Sequence, residues 1–170
     1  MLLSVGELSE RKNHEVVIKA LAEIKQQNIK YFIAGSGDLK DRLSDLIINM
    51  NLQDSIKLLG FRSDVNMLTK AADLFIFPSI QEGLPVALME AMSAGLPVVA
   101  SQIRGNVDLI RVGKNGALFD CNNVITCKNS IYDMFNNPQN LYQMGENNII
   151  DVKDYSEKRV IRLLRDIYIR

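Results

Sequence analysis

Six short apolar runs, each continuous rather than alternating, do most to limit what this chain can fold into. They are "LLSVG" (residues 2–6), "YFIAG" (31–35), "IKLLG" (56–60), "LFIFP" (74–78), "PVVAS" (97–101) and "GALF" (116–119). A strand with one wet face alternates apolar and polar residues. A run that is apolar throughout needs cover on both sides, as in a parallel sheet between two helical layers. The segments between the runs carry the helical period instead. Val17, Ala20, Leu21 and Ile24 recur at i, i+3, i+4 and i+7, with Asn13 as a candidate N-cap. Leu39, Leu43, Leu46, Ile47 and Met50 form a second stripe, Val65, Leu68 and Ala72 a third, and residues 85–94 a fourth. After Phe119 the pattern is helical only, over 123–135, 138–150 and 156–168. This alternation predicts an α/β fold, a doubly wound parallel sheet of about six strands with right-handed crossovers.

The chain's 170 residues, 47% of them apolar, suffice for one domain with its own core. No internal repeat or linker-like tract divides it. Twenty basic and twenty acidic residues cancel, which argues against a surface devoted to nucleic acid. No run of 18 apolar residues offers a transmembrane helix, and no signal peptide is read. Cys121 and Cys127 lack metal-ligand spacing, and the one histidine, His14, excludes a multi-histidine site. The expectation is two reduced thiols, no metal site and a surface histidine.

In an open parallel sheet, ligands bind at the carboxyl ends of the strands where the strand order reverses. For the order 3-2-1-4-5-6, the loops at that point are "GELSERKNHE" (6–15) and "QEGLPVA" (81–87). Pro85 suits a first helical turn, and Gly83 lets the backbone come close to a ligand. Free amides of Leu84, Val86 and Ala87 at the start of the helix would make an anion site there. The plainer alternative is a strand-to-helix turn with a solvated Glu82. Glu90 sits within the apolar "VALMEAM". A buried carboxylate there would need donors, and the hydroxyls of a sugar or ribose diol are good ones. The alternative is that Glu90 points to solvent between Val86 and Ala94, or pairs with a lysine. Lys12 lies where it would neutralise a diphosphate, unless it is a solvated lysine at a helix start. "GSGD" (35–38) is not G-x-G-x-x-G and follows the second strand, which disfavours an NAD site. "GFRSDV" (60–65) could present backbone groups to a base.

Taken together, "EGLPVALME" resembles the E-x7-E signature of the family 4, or group 1, retaining glycosyltransferases of GT-B fold. The resemblance extends through "SVGELSERKNHEVVIKAL", "YFIAGSGDLKDRL", "IKLLGFRSDV", "AADLFIFPSIQEGLPVALMEAMSAGLPVVAS" and "RGNVDLIRVGKNGALF". It implies the Rossmann-like, carboxyl-terminal half of such an enzyme, with the amino-terminal acceptor domain outside this chain. It implies that the position of Glu90 holds the ribose hydroxyls, and that of Glu82 contacts the donor hexose and serves catalysis. Lys12 and the amides of Gly83, Leu84 and Val86 would hold the diphosphate, while Phe61 and Arg62 meet the base. The donor, a UDP-sugar above all, would be a substrate, so no cofactor is expected. The acceptor would be a cell-surface glycan or lipid-linked sugar, made in the cytoplasm, with peripheral attachment at the inner face of the membrane. The isolated domain would bind and not turn over. Two other classes fit the same residues: a non-catalytic nucleotide-binding module, and half of a GT-B-type UDP-sugar epimerase.

One departure stands out. The family commonly carries arginine after the first-strand glycine, and here Glu7 takes its place. A carboxylate aimed at a diphosphate would repel it by about 1 kcal/mol or more. Glu7 should therefore turn away, bind a hydroxyl, or pair with Arg11 or Lys12. The last helix would carry a stripe of Val160, Leu163, Leu164 and Ile167.

Overall fold

The computed structural model describes residues 1–170 apart from 25–27, 157, 158, 160, 163, 164, 166, 167, 169 and 170. The strands are β1 (Leu2–Val5), β2 (Tyr31–Ala34), β3 (Ile56–Gly60), β4 (Leu74–Phe77), β5 (Val98–Ser101) and β6 (Gly116–Phe119). They form one parallel sheet in the order β3-β2-β1-β4-β5-β6. The helices are α1 (His14–Ala22), α2 (Lys40–Asn49), α3 (Val65–Ala71), α4 (Val86–Ser93), α5 (Val124–Asn136) and α6 (Pro138–Asp151). The predicted stripe of Val160, Leu163, Leu164 and Ile167 lies outside the described residues.

The continuous apolar runs have the expected cause. Side chains of successive strand residues point to opposite faces, and both faces are covered. In β4, Leu74 and Ile76 join the core under α1, α2 and α5, while Phe75 and Phe77 join the one under α4. All four are at most 2% exposed. Cys121 and Cys127 are both free thiols, and burial pushes Cys127 up to about 12, which keeps it an unreactive core residue.

The "GSGD" turn serves packing. The N–H of Leu8 donates to Ser36 O at 3.0 Å and that of Leu39 to Leu8 O at 3.0 Å. The loop after β1 therefore lies directly on the turn after β2. A Cβ at Gly35 would stand 1.8 Å from the Gly6 carbonyl oxygen, and one at Gly37 would stand 2.4 Å from that of Leu8.

At the start of α1 one sequence expectation holds in position only and another fails. Asn13 occupies the N-cap position with φ 50°, but its side chain caps nothing. Its Nδ2 donates to Cys121 O at 2.9 Å, tying the loop after β1 to the segment after β6. His14 is not on the surface: it is 3% exposed, with Nδ1 3.4 Å from the Tyr31 hydroxyl. That hydroxyl lies 2.8 Å from Ser4 Oγ, which donates to Ile76 O at 2.6 Å. A short helix whose first turn faces the sheet buries its histidine, and burial lowers the pKa to about 4. A hydrogen bond with the Glu7 backbone opposes the shift, and the charge of Lys12 adds to it.

A stability prediction follows. The unfolded chain takes up this proton near pH 6.5 and the folded chain only near 4. Below about pH 6.5 the unfolded state binds more protons, so stability is full above that value and falls toward pH 4. Denaturant unfolding should show a loss of about 2 kcal/mol between pH 7 and pH 5. His14→Gln should flatten that dependence. An unchanged slope in the variant would assign it to other groups.

Candidate functional site

The order of the sheet is the one considered above and puts its reversal between β1 and β4, and the loops that follow these strands meet there. The N–H of Ile80 donates to Arg11 O at 2.9 Å. Arg11 donates to Gln81 O at 3.3 Å and to Glu82 Oε1 at 3.1 Å. Lys12 Nζ donates to the same Glu82 oxygen at 2.6 Å. Its aliphatic stem crosses Gly6, where a Cβ would be 3.3 Å from Lys12 Cδ and Cε. Its ammonium lies 4.9 Å from the Phe77 ring centroid, within range of a cation–π attraction. The side chains of Glu82 and Lys12 are 8% and 13% exposed, so a solvated Glu82 is not what the chain forms. A carboxylate this enclosed needs such partners to offset its lost hydration.

The start of α4 differs from expectation. The helix begins at Val86, and Pro85 stands at the N-cap with φ −81° and ψ 73°, an inverse γ-turn. The N–H of Val86 accordingly donates to Leu84 O at 2.9 Å and is not free. Ala87 and Leu88 supply the first-turn amides that have no intrahelical carbonyl to meet. Gly83 is open, since a Cβ there would meet nothing within 4 Å, and the side chains of Leu84 and Val86 stand out in solvent.

Sequence reasoning missed what supports this loop from behind. Gly105, at φ 95°, lies so close that a Cβ would be 3.3 Å from Gly83 O and 3.5 Å from Glu82 O. The buried Asn106 donates from Nδ2 to Ser101 O at 3.0 Å and to Ser101 Oγ at 3.1 Å. Ser101 Oγ in turn donates to Ser79 O. The segment after β5 thus holds the loop after β4. "RGN" within "RGNVDLI" was its only signal, and spacing gave it no role.

Glu90 also departs from the reading of a buried carboxylate. α4 buries Leu88, Ala91 and Met92 and turns Glu90 outward, on the face of Val86 one turn earlier. It makes no ion pair among the described residues. It lines a cleft of about 860 Å³ between α3 and α4, together with Val5, Val65 and Ser93. The alternative in which it points away from the core is therefore what this chain shows, and its carboxylate is available to a donor in that cleft.

A smaller cleft of about 420 Å³ shares Val5 and Val65 with the first and is lined by Glu7, Ser36, Phe61 and Arg62. Glu7 is exposed and makes no ion pair among the described residues, so of the three outcomes open to it, pairing with Arg11 or Lys12 does not occur. Both cations are taken by Glu82. Arg62 is committed as well: Nε and Nη2 donate to the two carboxylate oxygens of Asp64 at 2.7 and 2.6 Å. That fork holds the Asp64 carboxyl below the usual range. It leaves Phe61, 80% exposed, as the open surface of this cleft.

Comparison with known proteins places this geometry. Residues 1–150 match the family described as "Glycosyl transferases group 1". The chain is 41% identical over 127 residues to the amylovoran biosynthesis glycosyltransferase AmsK of Erwinia amylovora, covering 69% of this chain and 31% of that protein. It is 35% identical over 132 residues to the UDP-Gal:alpha-D-GlcNAc-diphosphoundecaprenol alpha-1,3-galactosyltransferase of Escherichia coli, 75% of this chain and 34% of that protein. The chain thus spans about a third of the length of these curated relatives. Among solved structures, Anabaena HepE in complex with UDP superposes with a TM-score of 0.86 at 25% identity, over 97% of this chain and 48% of that one. The neighbours are GT-B glycosyltransferases, and the sheet described above is the Rossmann-like half of that fold.

Proposed function

The chain belongs to the group 1 glycosyl transferases, and on that premise we propose that it is the donor-binding domain of a retaining transferase. The whole enzyme would move a hexose from a nucleoside diphosphate sugar, with UDP as the carrier, to a cell-surface glycan or lipid-linked acceptor. The UDP preference follows the Anabaena neighbour, and the acceptor class follows the amylovoran and diphosphoundecaprenol relatives. An amino-terminal domain in cis would supply the acceptor cleft, in the cytoplasm, with peripheral attachment at the inner face of the membrane. No helix among the described residues is long and apolar enough to cross a membrane.

One observation carries the reading: Glu82, ion-paired with Lys12 of the loop after β1, and Glu90, with no ion pair among the described residues, lie toward the two ends of one loop-and-helix unit at the reversal point of the sheet. A donor laid along it puts its ribose diol on Glu90, its diphosphate near Lys12 and the open Gly83, and its hexose by Glu82. Transfer places negative charge on the leaving diphosphate. A fixed cation and amides that are already oriented stabilise that charge without reorganising. The base would rest on Phe61 and on backbone groups, because the Arg62 side chain is held by Asp64.

A thermal-shift panel of UDP, GDP, ADP and their common sugars tests this. A ligand that binds only the folded chain adds about 2.7 kcal/mol of stability at a hundredfold excess over Kd. UDP and UDP-sugars should raise the melting temperature most. No shift with any of them would remove the donor-site reading.

A further inference from the structure

Two cations share one oxygen at this site. Lys12 Nζ and Arg11 Nη1 reach Glu82 Oε1 at 2.6 and 3.1 Å. An oxygen that accepts from an ammonium and a guanidinium together is in the position a phosphate oxygen would take. The two positive charges exceed the single charge of Glu82, and a diphosphate would match them. Glu7 lines the neighbouring cleft with no ion pair among the described residues. The second cation at this oxygen is Arg11, which is already in place beside Lys12. Its backbone is anchored by the N–H of Ile80, and its side chain, 45% exposed, has room to turn toward an incoming ligand.

Building on the donor-site reading, we infer that Arg11 is the second diphosphate-binding cation, and that Glu82 holds the diphosphate's place between Arg11 and Lys12 in the free chain. Donor binding is then an exchange of anions. The diphosphate takes the two cations, and the released Glu82 carboxylate accepts from the hydroxyls of the hexose. The enclosed charges stay paired before and after, which is the condition for keeping them out of water.

Calorimetric titration of the chain with UDP, uridine and inorganic pyrophosphate tests this. Arg11→Gln should weaken UDP and pyrophosphate about tenfold and leave uridine unchanged, and Arg11→Lys should restore most of the loss. Glu82→Gln should tighten UDP about fivefold, since no carboxylate has to be displaced. The Arg11 variants decide the matter alone if Glu82→Gln does not fold. UDP affinity untouched by Arg11→Gln, or an equal loss for uridine, overturns the inference, as does weaker UDP binding in a folded Glu82→Gln. A chain that binds pyrophosphate through Arg11 but no UDP keeps the cation pair and loses the nucleotide. A chain that binds neither overturns both.

Discussion

Glu90→Ala should lower the affinity for UDP about a hundredfold and leave the fold intact. The first half rests on charge-assisted hydrogen bonding. A ribose diol that donates to both carboxylate oxygens makes two such bonds, each worth roughly 1.5–3 kcal/mol. Desolvating the carboxylate and the hydroxyls takes back part, leaving about 3 kcal/mol, or a hundredfold in Kd. The second half rests on exposure. Glu90 faces the cleft on the outer side of α4 and has no ion pair among the described residues, and alanine suits a helix at least as well. The diol is tested separately with 2′-deoxy-UDP. The natural chain should prefer UDP about tenfold, from the loss of one charge-assisted bond, and the variant should bind both alike. A variant that keeps both its UDP affinity and its preference would take Glu90 out of the site.

Gly35→Ala should unfold the β1–β2 end of the sheet. Its Cβ would stand 1.8 Å from the Gly6 carbonyl oxygen and 2.8 Å from the carbon. Both atoms are backbone, so no side chain can swing aside. The Gly6 N–H is itself held by Ala34 O at 3.0 Å. Relief requires the loop after β1 to lift off the turn after β2, breaking the bonds between Leu8 and Ser36 and between Leu39 and Leu8. Overpacking with a forced backbone shift costs about 3 kcal/mol at the upper end of such substitutions. In a domain of this size that lowers the melting temperature by about 10 °C. Gly83→Ala is the control: its Cβ meets nothing within 4 Å, and stability should hardly change. Equal melting temperatures for the natural chain and Gly35→Ala would mean that the two loops are not in contact.

The sheet could be read before any coordinates because both of its faces are covered. Coverage favours apolar residues along the strands, and the six runs followed from that with ends displaced by at most a residue, while their order entered only as the case considered. The site was less legible, for reasons that differ by residue. Lys12 and Glu82 were singled out separately, but their pairing spans 70 positions and has no periodic signature. Arg11 was legible only as a possible partner for Glu7, since neighbouring basic residues in a loop give no sign of which one turns inward. Glu90 was taken as buried because its neighbours are apolar. α4 has eight residues, and only Leu88, Ala91 and Met92 are needed to cover the sheet, so its other face carries Val86 and Glu90 into the cleft. His14 failed the other way: a polar residue in a first turn reads as surface, but this turn lies against Tyr31. The Val86 amide was expected to be free, and the Pro85 γ-turn consumes it, a backbone detail that spacing does not encode.

The most direct test is an amide chemical-shift map of the ¹⁵N-labelled chain titrated with UDP. The expected result is a cluster of perturbed amides in the loops after β1 and β4, at the start of α4 and around Phe61, with α5 unaffected. Perturbations centred at the opposite end of the sheet, in the hollow lined by Ala72, Pro97, Leu141 and Tyr142, would contradict a donor site at the reversal point.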